Sequence, residues 1–121
     1  MGFFARFKRN RLSAEEKRWN RMWELWVKGK AKSPAAELMT YQAEVNNGGH
    51  SQFFDNTESI GELEQTAAVL RNTLTGVLLE NFNCAYAGWQ NGDDDLLNTC
   101  DEVYYANEAH LQALLHAYAE A

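Results

Sequence analysis

Asn46-Asn47-Gly48-Gly49-His50-Ser51-Gln52-Phe53-Phe54-Asp55-Asn56 is the stretch that decides the fold, because it joins a strong helix stop to a pair of aromatics and lies between two helical patterns. Asn and Gly tolerate the positive φ that ends a helix, so Asn47, Gly48 and Gly49 read as a C-terminal cap. Counting a new helical turn from Gln52 points Phe53 and Phe54 inward, with Asn56 or Thr57 placed to cap the next helix. The Gln52 amide, carrying both donors and an acceptor, suits backbone groups bared by the two glycines.

Outward from that stretch the chain reads as all-α, a compact helical bundle of about five to six helices. Its 121 residues suit one domain with a sizeable core. One Pro and eight Gly argue against a many-turned β chain. Residues 1–12 form a basic amphipathic arm, alternating Phe3, Phe4 and Phe7 with Arg6, Lys8, Arg9 and Arg11, and residues 13–121 form the helical domain. Apolar windows fall well short of the ~20 residues a membrane helix needs, so no membrane partner is expected. Cys84 and Cys100, without a CxxC pair or a secretory leader, indicate neither a metal knuckle nor a disulfide framework, and the default compartment is a reducing cytoplasm.

Ser13-Ala14-Glu15-Glu16 is a capping box that opens a helix running to about Lys28. Trp19, Met22, Trp23 and Trp26 recur at helical spacing on one face, and Lys17, Arg18, Arg21 and Lys28 hold the other. Ser33 and Pro34 suit the cap and first turn of a second helix, whose inner stripe is Leu38, Tyr41 and Val45. Beyond the Phe pair, Ile60, Leu63, Ala67 and Leu70 share a stripe. Thr73 or Thr75 then caps the most apolar segment, which holds Val77, Leu78, Phe82, Ala85 and Tyr86 and is the candidate central helix. Residues 89–95 read as a polar loop. In the last region Leu97, Cys100, Tyr104, Asn107, Leu111, Leu114 and Tyr118 alternate by three and four, with a break at Asn107 favoured over one long helix.

Tyr41, Glu44, Asn47-Gly48-Gly49, Gln52, Phe53-Phe54 and Asn56 resemble the signature of a bacterial DNA-mimic protein family, with an Asp-x-x-Tyr-Tyr step at Asp101, Tyr104 and Tyr105. The likeness runs from about Leu38 to Tyr118. It departs at His50, where an aromatic is usual, and at Phe53, where Tyr is frequent. The resemblance implies a protein that presents itself to a DNA-binding protein as DNA, and it allows a homodimer.

The net charge of −6 conceals a sharp division. Residues 1–32 hold ten Lys/Arg against three Glu, a surplus of +7, whereas residues 33–121 hold fourteen Asp/Glu against Arg71 alone, a surplus of −13. Duplex DNA carries about one charge per 1.7 Å, so an imitator needs carboxylates on stiff elements without neutralising lysines. Glu58, Glu62, Asp93, Asp94, Asp95, Asp101, Glu102 and Glu108 are the candidate partner-binding carboxylates. At about 1.5 Å per residue, Asp94, Asp101 and Glu108 stand about 10.5 Å apart if one helix carries all three.

Catalytic chemistry lacks converging groups. His50, His110 and His116 show no metal-ligand spacing, Gly49-His50-Ser51 is no nucleophile elbow, and no phosphate-cradling loop follows Gly48-Gly49, so no catalytic, metal or cofactor residues are assigned. The expected function is an acidic protein-binding module that inhibits or regulates a basic DNA-binding protein, whether transcription factor, nuclease or defence effector. The alternative is an immunity, anti-defence or scaffold protein that recognises its partner through an apolar groove. Direct nucleic-acid binding ranks last, because the acidic body repels phosphates.

Overall fold

A computed structural model describes residues 13–119. Six helices follow one another: α1 (Ala14–Val27), α2 (Ala35–Ser59), α3 (Leu63–Thr73), α4 (Gly76–Gln90), α5 (Asp94–Ala106) and α6 (Glu108–Ala119). The described residues contain no strand, so the all-α expectation holds. The basic arm of residues 1–12 lies outside the described residues.

The capping box forms as its sequence predicts, with Ser13 Oγ accepting from Glu16 N and Glu16 Oε1 accepting from Ser13 N. Met22 of α1 is buried and Trp19, Trp23 and Trp26 are half-buried against the core, so the tryptophans serve packing. Trp26 Nε1 donates to Thr40 Oγ1 at 3.0 Å, and Trp19 stacks on His116 with 4.0 Å between ring centroids, which ties α1 to α2 and α6.

Helix α2 bends at the double glycine. Gly48 (φ −155°, ψ 21°) and Gly49 (φ 76°, ψ −178°) leave the helical region, and regular turns resume at once. The stop-and-restart reading of Asn47-Gly48-Gly49 is therefore correct, although the restart falls at His50 rather than Gln52. Phe53 and Phe54 are both fully buried, as their positions after the break require. The kinked α2 packs against all the other helices, so it is the centre of the molecule and α4 is not. Its two halves bury Leu38, Tyr41, Val45, Phe53 and Phe54 from two directions, which no straight helix could do.

Several local expectations are overturned by neighbours the sequence does not show. Ile60 is 67% exposed, because the helix stops at Ser59 and Gly61 turns the chain before Leu63, Ala67 and Leu70 enter the core on α3. Neither Asn56 nor Thr57 caps a helix: Thr57 hydroxyl donates back to the Phe53 carbonyl and Asn56 reaches across to Glu44. Ser33 makes no cap; the first turn of α2 opens with Ala36 N donating to the Lys32 carbonyl. Thr75 sits before α4, but its hydroxyl meets His110 Nε2 instead of the first turn.

Within α4, Leu78, Phe82 and Ala85 are buried and Val77 is 48% exposed. Trp89 and Gln90 close that helix instead of belonging to the loop. The break at Asn107 forms, with Asn107 Nδ2 closing α5 on the Val103 carbonyl and the Asn107 carbonyl accepting from His110 N and Leu111 N. On α6 the buried positions are Leu111 and Leu115, while Leu114 and Tyr118 are half-buried.

Candidate functional site: the broken helix and the acidic rim

A helix that stops and restarts leaves carbonyls bare on one side of the gap and N–H groups bare on the other. Both sets are served by α5. Tyr105 hydroxyl donates to the Val45 carbonyl at 3.2 Å, and Asp101 Oδ1 accepts from His50 N at 2.8 Å, so a carboxylate from a distant helix caps the restarted half. The same Oδ1 lies 2.7 Å from His50 Nδ1. With the ring proton on Nδ1, Nε2 is left as an acceptor for the Tyr41 hydroxyl at 2.6 Å. Tyr41, His50 and Asp101 thus form one chain of hydrogen bonds across the bend.

The rest of the signature closes the bend from outside. Glu44 Oε2 accepts from Gln52 Nε2 at 3.0 Å and from Asn56 Nδ2 at 2.8 Å. Gln52 therefore spends its amide on a carboxylate and not on the bared backbone, which Asp101 and Tyr105 satisfy. Its side chain folds over Gly48, so that a Cβ at Gly48 would overlap it, and a Cβ at Gly49 would collide with the Asp101 carboxylate. Tyr41, Glu44, Gly48, Gly49, Gln52 and Asn56 are recognisable together because they hold two half-helices at a fixed angle.

Beneath them an aromatic cluster fills the core. Tyr41 meets Phe53, Phe82 and Tyr104 edge-on with centroids 5.2, 5.6 and 5.6 Å away. Burial, reinforced by Tyr104, Cys100 and Asp101, raises the Tyr41 phenol well above its ordinary range, so it stays protonated and donates. Burial also lowers His50, a fall partly offset by its hydrogen bond to Asp101 and that carboxylate's charge. Neither Tyr41 nor His50 has any exposed surface. The arrangement resembles an acid–base relay in composition, but its phenol and imidazole are closed off from solvent and their hydrogen bonds hold the bend together as a clamp. Burial likewise pushes the Cys100 thiol up to about 12.

The carboxylates divide accordingly. Asp101, its side chain 23% exposed, is turned inward onto His50 and does not join the outward set. The evenly spaced row of Asp94, Asp101 and Glu108 does not form, because α5 ends at Ala106 and Glu108 opens a separate helix. Glu58, Glu62, Asp93, Asp94, Asp95, Glu102 and Glu108 are all exposed. Asp93 caps α5 through Leu96 N at 3.1 Å, and Asp94 and Asp95 occupy its first turn, where the positive end of the helix favours them. Trp89 Nε1 donates to Asp55 at 2.9 Å, drawing the second half of α2 beside the α4–α5 corner. Asp55 escaped the sequence-based selection, and Glu44 entered it only through the family signature, because each is defined by its spatial partner.

Among the described residues Lys28–Glu24 is the ion pair of a lysine or arginine with a carboxylate, while His50 Nδ1 lies 2.7 Å from Asp101 and His116 Nδ1 lies 3.6 Å from Glu15. Arg71, the sole cation of residues 33–121 apart from histidine, donates to Asn83 and lies over the Tyr86 ring at 4.8 Å, and the carboxylates of that region make no ion pair with Arg or Lys among the described residues. No helix among the described residues is long and apolar enough to cross a membrane.

The described residues form an all-helical body whose central helix is broken at a double glycine and whose exposed carboxylates Glu58, Glu62, Asp93, Asp94, Asp95, Glu102 and Glu108 make no ion pair with Lys or Arg among those residues. The family model described as DMP19-like protein matches residues 35–121, and the chain belongs to that family of DNA-mimic proteins. The match starts at the first residue of α2, so it contains the whole broken helix and leaves α1 outside. The family is not one of enzymes, and it implies binding to DNA-binding proteins in general. No curated protein and no solved structure matches the chain.

Proposed function

We infer that the protein binds a basic DNA-binding protein in place of DNA and inhibits or regulates it, acting by occupancy and not by catalysis. The observation that carries this reading is the set of exposed carboxylates Glu58, Glu62, Asp93, Asp94, Asp95, Glu102 and Glu108, held on helices or at the residue that opens one and lacking Lys or Arg ion pairs among the described residues. Carboxylates neutralised by their own chain would steer nothing. Left open, they attract a basic groove over roughly a Debye length of about 8 Å and accelerate encounter. Helical mounting adds fixed spacing, so less order must be imposed on binding. Asp101 is excluded from the binding set, since its carboxylate is already committed to the bend.

The test is capture of partners by the intact chain, with and without Asp94→Lys, Glu102→Lys and Glu108→Lys together. A DNA-binding protein whose capture falls on the order of tenfold between low and physiological salt, is displaced by duplex DNA, and is lost in the triple variant supports the reading. A partner captured equally by the triple variant and indifferent to duplex DNA would instead place recognition on an apolar surface.

A further inference from the structure

A groove of about 560 Å³ is lined by α1, the linker that follows it and the end of α6. Its floor is apolar, with Met22 and Leu25 from α1 and Tyr118 from α6. Its rim is cationic: Arg18 and Arg21 of α1 and Lys30 and Lys32 of the linker are all exposed, and no carboxylate lines the groove among the described residues. The linker is held there by a helix stop. Gly29 adopts φ 71°, Gly29 N donates to the Trp26 carbonyl at 2.9 Å and Lys30 N to the Leu25 carbonyl at 2.8 Å, which folds the chain back over the end of α1 and brings Lys30 to the groove.

Four cations around one groove repel one another, and none of them makes an ion pair among the described residues. A cleft lined by one sign of charge over apolar walls focuses its field and concentrates groups of the opposite sign. The chain's own residues 1–12 carry Arg6, Lys8, Arg9 and Arg11 and no Asp or Glu, so they have the wrong sign to fill it. Whatever fits must offer an apolar surface to the floor and several negative charges to the rim.

We propose that the groove receives an acidic amphipathic helix of a partner protein, its apolar stripe on Met22, Leu25 and Tyr118 and its flanking carboxylates on Arg18, Arg21, Lys30 and Lys32. Such a helix presents apolar side chains at i, i+3, i+4 and i+7 and places Glu along both edges of that stripe. Arg18 and Arg21 stand one turn apart, about 4.5 Å along the axis of α1, which is the interval at which a helix edge repeats its own side chains. An amphiphile with a single anionic head would pair with only part of this rim. Duplex DNA would supply phosphates but nothing for the apolar floor, and the acidic body would repel it. The site is separate from DNA mimicry, since it uses none of Asp93, Asp94, Asp95, Glu102 or Glu108. Its four cations all precede residue 35, where the match to the family model begins, so the groove is an addition of this chain to the matched region. With it, one molecule holds a basic surface on its rim and an acidic helix in its groove.

Fluorescence anisotropy on the full chain tests it, using as probe a labelled peptide of about 18 residues with Leu along one helical face and Glu and Ala on the other, beside a peptide of the same composition in scrambled order. The amphipathic peptide should bind at least about tenfold more tightly than the scrambled one, and about tenfold more weakly at about 500 mM salt than at about 50 mM. Arg21→Glu with Lys30→Glu should weaken binding by at least about tenfold, whereas Arg21→Lys with Lys30→Arg should stay within about threefold of the unaltered chain. Both positions are exposed, and circular dichroism checks that the variants keep their helicity. Leu25→Ser should weaken the peptide without changing its salt dependence, and the triple variant Asp94→Lys, Glu102→Lys, Glu108→Lys should retain the groove-dependent binding, lost again on adding Arg21→Glu with Lys30→Glu. Equal binding of the two peptides, or a charge-reversed groove that binds as before, would overturn the proposal. So would a groove that ignores the peptide but takes laurate, anionic vesicles, duplex DNA or a second copy of the chain, with that binding lost in Arg21→Glu with Lys30→Glu.

Discussion

Asp101 and Glu102 are neighbours on α5 and chemically near-identical, yet they belong to different regions of the molecule. Asp101 faces the bend of α2, where its carboxylate accepts two hydrogen bonds from His50; Glu102 stands on the rim, exposed and without an ion pair among the described residues. At the bend, negative charge completes backbone and side-chain hydrogen bonding and so specifies the fold. On the rim it completes nothing internal and remains available to a partner. A helix rotates about 100° per residue, which is enough to send consecutive carboxylates to opposite uses. Acidity summed over the sequence cannot distinguish the two.

Breaking the bend should have the largest effect. Gly49→Ala places a side chain at φ 76° against the Asp101 carboxylate and should destabilise by about 2–4 kcal/mol, read as a lowered urea midpoint. Asp101→Ala should cost about 2–3 kcal/mol, because a buried backbone N–H and a buried ring N–H both lose their acceptor; Asp101→Asn, which keeps one oxygen, should cost less.

The bend should also carry a pH dependence. His50 is lowered from its ordinary 6.5 by burial, so below that value the unfolded chain takes up a proton that the folded chain resists. Stability from this group is complete above pH 6.5 and falls as pH drops from there toward the folded value. Urea unfolding at pH 7.5 and 5.5 should reveal the loss, and His50→Gln should remove that part of it. An equal slope in the variant would show that other groups produce it.

Glu44→Ala should cost about 0.5–1 kcal/mol, since Gln52 and Asn56 can turn to water. At the far end of the comparison, Glu102→Gln should change stability by no more than about 0.5 kcal/mol while still weakening salt-sensitive partner binding. Were Glu102→Gln as damaging as Asp101→Ala, rim and bend would not be separate regions.

Much of the fold is legible in the residues. The capping box at Ser13, the tryptophan face of α1, the stop at Asn47-Gly48-Gly49, the inward Phe53 and Phe54 and the interruption at Asn107 are each set by contacts within a turn or two, and each forms. The failures share one cause. Ser33, Asn56, Thr57 and Thr75 all carry polar side chains suited to a cap, and only the three-dimensional surroundings decide whether the cap or another partner is nearer. Ile60 continues a correct apolar spacing past a helix end that Gly61 imposes.

By itself the sequence determined that the chain is helical, that its acidic charge follows a basic segment, and that the double glycine interrupts a helix, because propensity, charge and backbone freedom are local properties. Only the tertiary structure decided that Asp101, 51 residues beyond His50, caps the restarted helix, and that Asp93–Asp95, Glu102 and Glu108 remain outside. Which carboxylates are consumed and which are left depends on what another helix brings within about 3 Å, the reach of a hydrogen bond, and no spacing along the chain encodes that distance.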